Sequence, residues 1–296
     1  MIAALERYAI QGGREGYDRL QVLARSRWPD TRDLFERVGV SAGMQCIDLG
    51  CGGGEVTFEL TRMVGPAGHA VGVDMDEVKL DLARKDAAAR GMSNVEFRTA
   101  NVNEWDDPAA YDLVYCRFLL EHLGQPDELL QRMWAAVRPG GTIAVEATDF
   151  DGEFGEPPNE AFATAQRLYR ALVDHRGGDP VAGRRMFRRF LDAGIPRPSV
   201  RLVQRVDAEG EAKMLFVLTF RAIASAVVDE GSPPARRWTR HWPGSRRSSP
   251  TRRRSSRNRG SFRSGDGATS CGAAPHGATR RSDGRRAPGR RVQRRR

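Results

Sequence analysis

The sequence lacks the features that mark a membrane-spanning, disulfide-rich or metal-binding protein. No apolar run approaches the roughly 18 residues that a spanning helix needs, and Glu6 and Arg7 interrupt any signal-peptide pattern. The four cysteines show no C-x-x-C spacing, which argues against a disulfide framework or a cysteine metal site. They are Cys46, Cys51, Cys116 and Cys271. We therefore expect a cytoplasmic protein without a metal, in which the cysteines are small packing residues.

Residues 231–296 lack the residue types that build a core. They contain no Leu, Ile, Met, Tyr, Lys or Glu, but 20 Arg and 2 Asp, a formal charge of +18 against −8 for residues 1–230. Such a composition buries too little apolar surface to offset the entropy of ordering the chain. We predict a disordered arginine-rich tail, preceded by one α/β domain whose length suffices for a sizeable core.

Two interpretations fit this tail. A basic arm would bind nucleic acid through its phosphates. Alternatively, the tail is an out-of-frame product, because Arg, Ser, Pro, Gly, Ala and Thr are what GC-rich codons yield when misread. We back-translated the tail with codons that end mostly in G or C and then translated the triplets that start at the last base of each codon. The shifted frame encodes a helix pattern followed by a strand pattern, PRIVQVWG. We favour a frameshift near codon 231, which would remove the last strand of the sheet.

The most informative segment is CIDLGCGGGEV, residues 46–56. A short apolar strand carrying Asp48 runs into a glycine-rich turn and then a helix, which opens near Val56. Glycines accept positive φ and let a ligand approach the backbone, while the helix N-terminus offers free N–H groups. Glu55 stands where G-x-G-x-x-G needs its last glycine, and no Gly-Lys-Ser/Thr follows, so neither the dinucleotide fingerprint nor a P-loop is present.

Four further segments follow in order. Residues 70–73 are an apolar strand ending at Asp74, about 20 residues past the loop, where an acid can bind both ribose hydroxyls. Residues 94–102, 111–116 and 138–146 read as strands three to five, the last opening on Pro-Gly-Gly. With G-x-G-x-G, these motifs over residues 40–149 resemble the class I (Rossmann-like) S-adenosylmethionine-dependent methyltransferases, of the small-molecule type.

This resemblance implies an α/β fold with a doubly wound, mostly parallel sheet of seven-stranded type, its last strand missing. Residues 1–39 are a helical segment, helical over 13–38, near the substrate and cofactor. Residues 40–230 are the methyltransferase domain, in which the insertion 150–198 caps the substrate site with helices at 161–173 and up to residue 191. Residues 199–206 alternate like a sixth strand.

The resemblance also assigns roles in binding S-adenosyl-L-methionine. The methionine end falls to Asp48 and the loop, with Gly50, Cys51, Gly52 and Gly54. Asp74 binds the ribose, and the adenine is surrounded by Met75, Asn101 and Val102. Cys116 and Arg117 line the crevice after strand four. Other roles stay open, since Asp48 also suits a loop cap, Met75 a core position and Asn101 a turn.

His122 is the candidate general base, since it follows strand four and an imidazole ordinarily titrates near neutrality; a structural role is the alternative. Glu121 is expected to be a solvated or bridging acid. No Asn/Asp-Pro-Pro-aromatic motif follows strand four, which argues against a flipped base, and LEHL is similar to small-molecule enzymes. The predicted partner is a small-molecule acceptor, with no membrane and with nucleic acid bound only non-specifically by the tail. A nucleic-acid methyltransferase with a genuine basic arm and an inactive cofactor-binding remnant are the alternatives.

Overall fold

The computed structural model describes residues 13–107 and 110–229. The arginine-rich tail lies outside the described residues. Cys271 is part of this tail. The predicted disorder, the basic arm and the out-of-frame hypothesis all concern the same residues and stay predictions.

Five parallel strands form the sheet, in the order β3-β2-β1-β4-β5. They are β1 (Gln45–Leu49), β2 (His69–Asp74), β3 (Val95–Thr99), β4 (Tyr111–Arg117) and β5 (Val137–Glu146). The chain runs outward from β1 to β3 and then returns to β4 beside β1, so the direction of winding reverses between these two strands. Ligands bind at such a reversal, outside the carboxyl ends of the strands. The predicted α/β fold and its first five strands are confirmed.

The described part of the chain contains seven α-helices. They are α1 (Gly13–Val38), α2 (Glu55–Val64), α3 (Glu77–Ala89), α4 (Pro126–Ala136), α5 (Glu160–His175), α6 (Ala182–Asp192) and α7 (Met214–Asp229). The predicted N-terminal helix is confirmed as α1, and the two helices predicted within the insertion 150–198 are α5 and α6; the role of this insertion as a cap stays a prediction. α1 packs on the sheet through Phe35, whose ring meets that of the buried Tyr115 edge to face at 4.8 Å between centroids.

The predicted sixth strand is wrong. Residues 199–206 form neither helix nor strand, and Leu202 is 85% exposed. An alternating pattern becomes a strand only beside a neighbour that offers its free N–H and C=O groups, and within residues 13–107 and 110–229 no strand lies against the outer edge of β5. The described sheet therefore ends at β5.

The segment of residues 196–210, which we name the connecting segment, is attached to α1 instead. Four ion pairs make this attachment, and their order shows that the chain runs antiparallel to the helix. The last pair lies one residue past the segment. The pairs join Arg201 to Asp33, Arg205 to Asp30, Asp207 to Arg27, and Glu211 to Arg25. These pairs are partly or largely exposed, so each contributes little to stability. They nevertheless fix which surface the segment follows.

Helix α7 was not anticipated from the sequence. Its Phe216 stacks on Phe162 of α5 with 4.1 Å between the ring centroids, and its Phe220 meets Tyr169 edge to face at 6.4 Å. These aromatic contacts place α7 against α5. No helix of the described residues is both long and apolar enough to cross a bilayer.

Candidate functional site

A cleft of about 2460 Å³ opens at the carboxyl ends of the central strands. Most ligand pockets measure about 300–1,000 Å³, so this cleft has room for more than one small molecule. Ten of the predicted site residues line it together, and they come from the carboxyl ends of β1, β2 and β4 and from the loops after β1, β2, β3 and β4. They are Asp48, Gly50, Cys51, Gly52, Asp74, Met75, Asn101, Val102, Arg117 and His122.

The glycine loop is a tight cradle between β1 and α2. Gly52 has φ +56°, and a Cβ placed on it would lie 2.6 Å from Leu20 Cδ1 of α1. A Cβ on Gly53 would lie 2.9 Å from the ring of Tyr17. Side chains at these positions would collide with α1, so these glycines allow α1 to pack closely against the loop, and the positive φ of Gly52 lets the chain make this tight turn.

Two predicted contacts do not line the cleft. Gly54 has φ +80°, and a Cβ there would lie 2.7 Å from the ring of Phe97, so this glycine allows the loop to pack on β3. Cys116 is 0% exposed, and its Sγ lies 4.0 Å from the sulfur of Met133. Burial raises the pKa of the Cys116 thiol. Both residues support the site from behind.

Asp74 holds the loop in place. Its Oδ2 accepts a hydrogen bond from Gly52 N at 2.8 Å, and its Oδ1 accepts one from Asp76 N at 2.9 Å. A carboxylate oxygen has a second lone pair, so these bonds leave acceptor sites for two ligand hydroxyls. Asp76 in turn caps α3 and accepts from Gly13 N at 2.9 Å, which joins the start of α1 to this turn.

Asn101 serves as a turn residue. Its Oδ1 accepts from Asn103 N, and its Nδ2 donates to Glu104 Oε1, both at 3.1 Å. Val102 is buried and Met75 half-buried, and both line the cleft. The loop after β3 therefore presents a small apolar and amide surface next to Asp74.

Asp48 is buried beneath the loop at 2% exposure, and its Oδ2 accepts from Thr57 Oγ1 of α2 at 2.8 Å. The pKa of Asp48 is raised to about 7, mainly because burial disfavours its charge. The hydrogen bond from Thr57 and the positive charge of Arg117 oppose this rise, whereas the negative charges of Asp74 and Glu146 add to it. This carboxyl thus ties β1 to α2 and is only partly ionised near neutrality.

Arg117 is directed toward the contact between α1 and the sheet. Its Nη1 donates to Thr31 Oγ1 at 3.1 Å, and Thr31 Oγ1 donates to Glu146 Oε1 at 2.8 Å. The hydroxyl of Tyr115 donates to the same Glu146 oxygen. Arg117 therefore belongs to a network that joins β4, β5 and α1 at the wall of the cleft.

A 3₁₀ turn, Leu120–His122, places two titratable groups side by side. Burial, together with the charge of Arg19, lowers the pKa of His122 to about 3, so its imidazole is neutral near pH 7. Glu121 is 1% exposed rather than solvated as expected, and burial raises its pKa to about 7. Its Oε1 accepts from Thr148 N at 3.2 Å, whereas Oε2 is buried with no hydrogen-bond partner among the described residues. Glu121 also lines the cleft.

Sequence reasoning missed two cleft residues, Glu121 and Arg19. Arg19 is on α1, where its spacing resembles that of the exposed arginines of the same helix, and the acid in LEHL has no local mark of burial. Within the part of the chain that the structure describes, no group of three His, Cys, Asp or Glu side chains is placed to hold a metal ion.

A parallel sheet with a glycine loop after its first strand and an acid after its second defines a Rossmann-like domain. Residues 40–190, half of the chain, match the family described as methyltransferase domain. The chain belongs to this family.

Relatives match over part of their length. The chain is 32% identical over 112 residues to the ubiquinone biosynthesis O-methyltransferase of Acinetobacter baylyi, covering 37% of this chain and 46% of that protein. It is 31% identical over 140 residues to the ubiquinone/menaquinone biosynthesis C-methyltransferase of Hahella chejuensis, covering 47% and 54%. The chain thus spans about half the length of these curated relatives. A solved S-adenosylmethionine-dependent methyltransferase from Aquifex aeolicus has a TM-score of 0.41 at 21% identity, covering 54% of this chain and 87% of that one.

Proposed function

We propose that this protein is an S-adenosylmethionine-dependent methyltransferase acting on a small-molecule acceptor. The observation that carries the proposal is the glycine loop, fixed by Asp74 and lined by α1, in a chain of the methyltransferase domain family. A glycine loop after the first strand, followed by an acid with free lone pairs, fits a nucleoside with two ribose hydroxyls.

The cofactor is held by residues from four loops in this proposal. Asp48, Gly50, Cys51 and Gly52 take the methionine end, and Asp74 takes the ribose. Met75, Asn101 and Val102 surround the adenine, with Arg117 at the crevice wall. When bound, S-adenosylmethionine supplies a methyl group activated by the positive charge of its sulfur. The remaining task of the chain is orientation, which is worth several kcal/mol of barrier.

A proton leaves an acceptor hydroxyl when it is methylated, and two adjacent groups are candidates to take it. His122 stays a candidate, but a pKa of about 3 makes its neutral imidazole a weak base at pH 7. Glu121 has a pKa of about 7 and a buried oxygen without a partner among the described residues. Its pKa matches the ambient pH, so Glu121 is the better suited of the two.

A small acceptor is favoured by the shape and lining of the cleft. Phe150, Phe162 and Tyr169 from the cap region line its side, together with residues of the connecting segment. The relatives' names refer to quinone biosynthesis, which supports an aromatic acceptor. A cofactor-binding remnant without turnover is the second candidate, because the described sheet ends at an unpaired β5.

Binding of S-adenosylhomocysteine to the full chain, measured by calorimetry, tests the proposal. Asp74→Ala removes a half-buried acceptor and should weaken binding by about 1–3 kcal/mol. Asp81→Ala, an exposed acid on α3 that does not line the cleft, is the matched control and should bind like wild type. Equal affinity of wild type and Asp74→Ala would refute the ribose assignment, and binding without turnover of any phenolic acceptor would favour the remnant.

A further inference from the structure

The turn after α5, residues 176–179, packs against the backbone of Glu121. Asp179 N donates a hydrogen bond to Glu121 O at 2.8 Å. Gly178 makes this close approach possible, because a Cβ at its position would collide with the same carbonyl oxygen. The insertion 150–198 therefore holds the main chain of the proposed proton acceptor.

The carboxyl group of Glu121 is also held through this insertion. Thr148 N donates to Glu121 Oε1 at 3.2 Å, and Thr148 O accepts from Gly183 N, in the first turn of α6, at 2.9 Å. With Oε1 engaged in this way, Oε2 is the oxygen without a partner among the described residues. The start of α6 thus helps to decide which oxygen of Glu121 stays available to a ligand in the cleft.

Asp179 is anchored on its other side by two arginines of α6. Its carboxylate is buried and pairs with Arg185 Nη1 at 2.9 Å and with Arg189 Nη2 at 3.0 Å. Arg189 also donates to Asp127 Oδ1, in the first turn of α4, at 2.8 Å. Asp179 therefore joins the backbone of Glu121 to both α4 and α6.

The charge that Glu121 meets depends on this acid. The titratable and charged groups around the 3₁₀ turn lie on β4, on the turn itself, on residues 176–179, on α6 and on α1. They are Cys116, His122, Asp179, Arg185, Arg189 and Arg19. Burial raises the pKa of the Cys116 thiol and lowers that of the His122 imidazole, so both are neutral near pH 7. Burial raises the pKa of Glu121 to about 7, and the negative charge of Asp179 adds to this rise.

We infer that Asp179 is a positioning residue for the reaction, which fixes the turn that carries Glu121 and supplies a negative charge beside its carboxyl. The inference rests on the proposed function, in which Glu121 takes the proton of the acceptor hydroxyl. A negative neighbour favours the protonated carboxyl, and a positive one favours the carboxylate. Removal of Asp179 and removal of an arginine that pairs with it should therefore act on Glu121 in opposite directions.

Carbon-13 NMR of the full chain, labelled at the glutamate carboxyl carbons, reads this protonation directly. The resonance of Glu121 is the one missing from Glu121→Gln, and its titration midpoint in wild type should lie near pH 7. Asp179→Asn keeps the shape of the side chain and leaves both arginines without their anion, so the midpoint should fall by about 0.5–1 pH unit. Arg185→Gln leaves Asp179 paired with Arg189 alone, and the midpoint should rise by a smaller amount.

Arg188→Gln is the matched control, because Arg188 is an exposed arginine of the same helix that pairs with Asp192. It should keep the wild-type midpoint. Unchanged midpoints in both Asp179→Asn and Arg185→Gln would overturn the inference. Movement of both midpoints in the same direction would also overturn it, because loosened packing does not distinguish a lost anion from a lost cation.

Arg185 is exposed, so Arg185→Gln decides the question alone if Asp179→Asn does not fold. The titration needs neither cofactor nor acceptor, and its failure would leave methyl transfer standing. Absence of S-adenosylhomocysteine binding in calorimetry would instead refute the proposed function, and the role of Glu121 in proton transfer with it.

Discussion

Replacing Glu121 by glutamine should change how stability depends on pH. The carboxyl has an ordinary pKa of 4.5 when unfolded and about 7 in the fold, because burial disfavours its charge. Between these values the folded chain holds a proton that the unfolded chain has released, so the free energy of unfolding falls as the pH rises through this window. At about 1.4 kcal/mol per unit, the loss is roughly 3 kcal/mol.

Glu121→Gln removes this loss, since the amide is neutral at both ends of the window and its oxygen still accepts from Thr148 N. The measurement is urea unfolding at pH 4.5 and at pH 8. The difference between the two pH values should be about 3 kcal/mol larger for wild type than for the variant. The raised pKa of Asp48 and the lowered pKa of His122 act in both proteins and cancel in this comparison.

Glu160→Gln, which changes an exposed acid in the first turn of α5, serves as the control and should retain the wild-type pH dependence. If Glu121→Gln and wild type gave parallel stability profiles, Glu121 would not be buried as a protonated acid, and the argument for its role as proton acceptor would fail with it.

Three further predictions concern the loop, the base and the tail. Gly52→Val should abolish binding of S-adenosylhomocysteine in calorimetry with little change in far-UV circular dichroism, because valine does not fit the positive φ of this position and displaces the loop from Asp74; retained binding would move the site. Loss of the true base should lower turnover by about 10²- to 10⁴-fold, which we expect for Glu121→Gln and not for His122→Ala, and the reverse result would restore the histidine. Sequencing the gene near codon 231 should find the offset frame open through a segment like PRIVQVWG, and a stop codon there would exclude the frameshift.

The parts of the fold that follow from local pattern were predicted well. Five strands and α1 have strong apolar periodicity, and the glycine loop with Asp74 has a spacing that few other folds use. The sixth strand failed because alternation in residues 199–206 describes only the segment, whereas a strand depends on its neighbour. Helix α7 was missed because its long apolar run has no polar face to reveal a helical period.

The candidate site was predicted at the level of loops but not of single side chains. Cys116 precedes Arg117, which lines the cleft, yet the side chain of Cys116 points into the core against Met133. Glu121 and Arg19 gave no local signal, because a charged residue becomes buried through contacts between distant elements. Burial then reversed the expected chemistry of the turn after β4, where the acid and not the imidazole has the pKa near neutrality.

The connecting segment has a consequence for how molecules enter and leave the cleft. It lines the cleft without helix or strand and is attached to α1 by ion pairs worth about 0–1 kcal/mol each. Unfolding a whole domain costs about 5–15 kcal/mol, so this segment detaches by local opening long before the sheet is disturbed. We therefore expect this local equilibrium to affect residence times in the cleft, which should shorten as ionic strength rises, and we expect trypsin to cut first at the arginines that the opening releases.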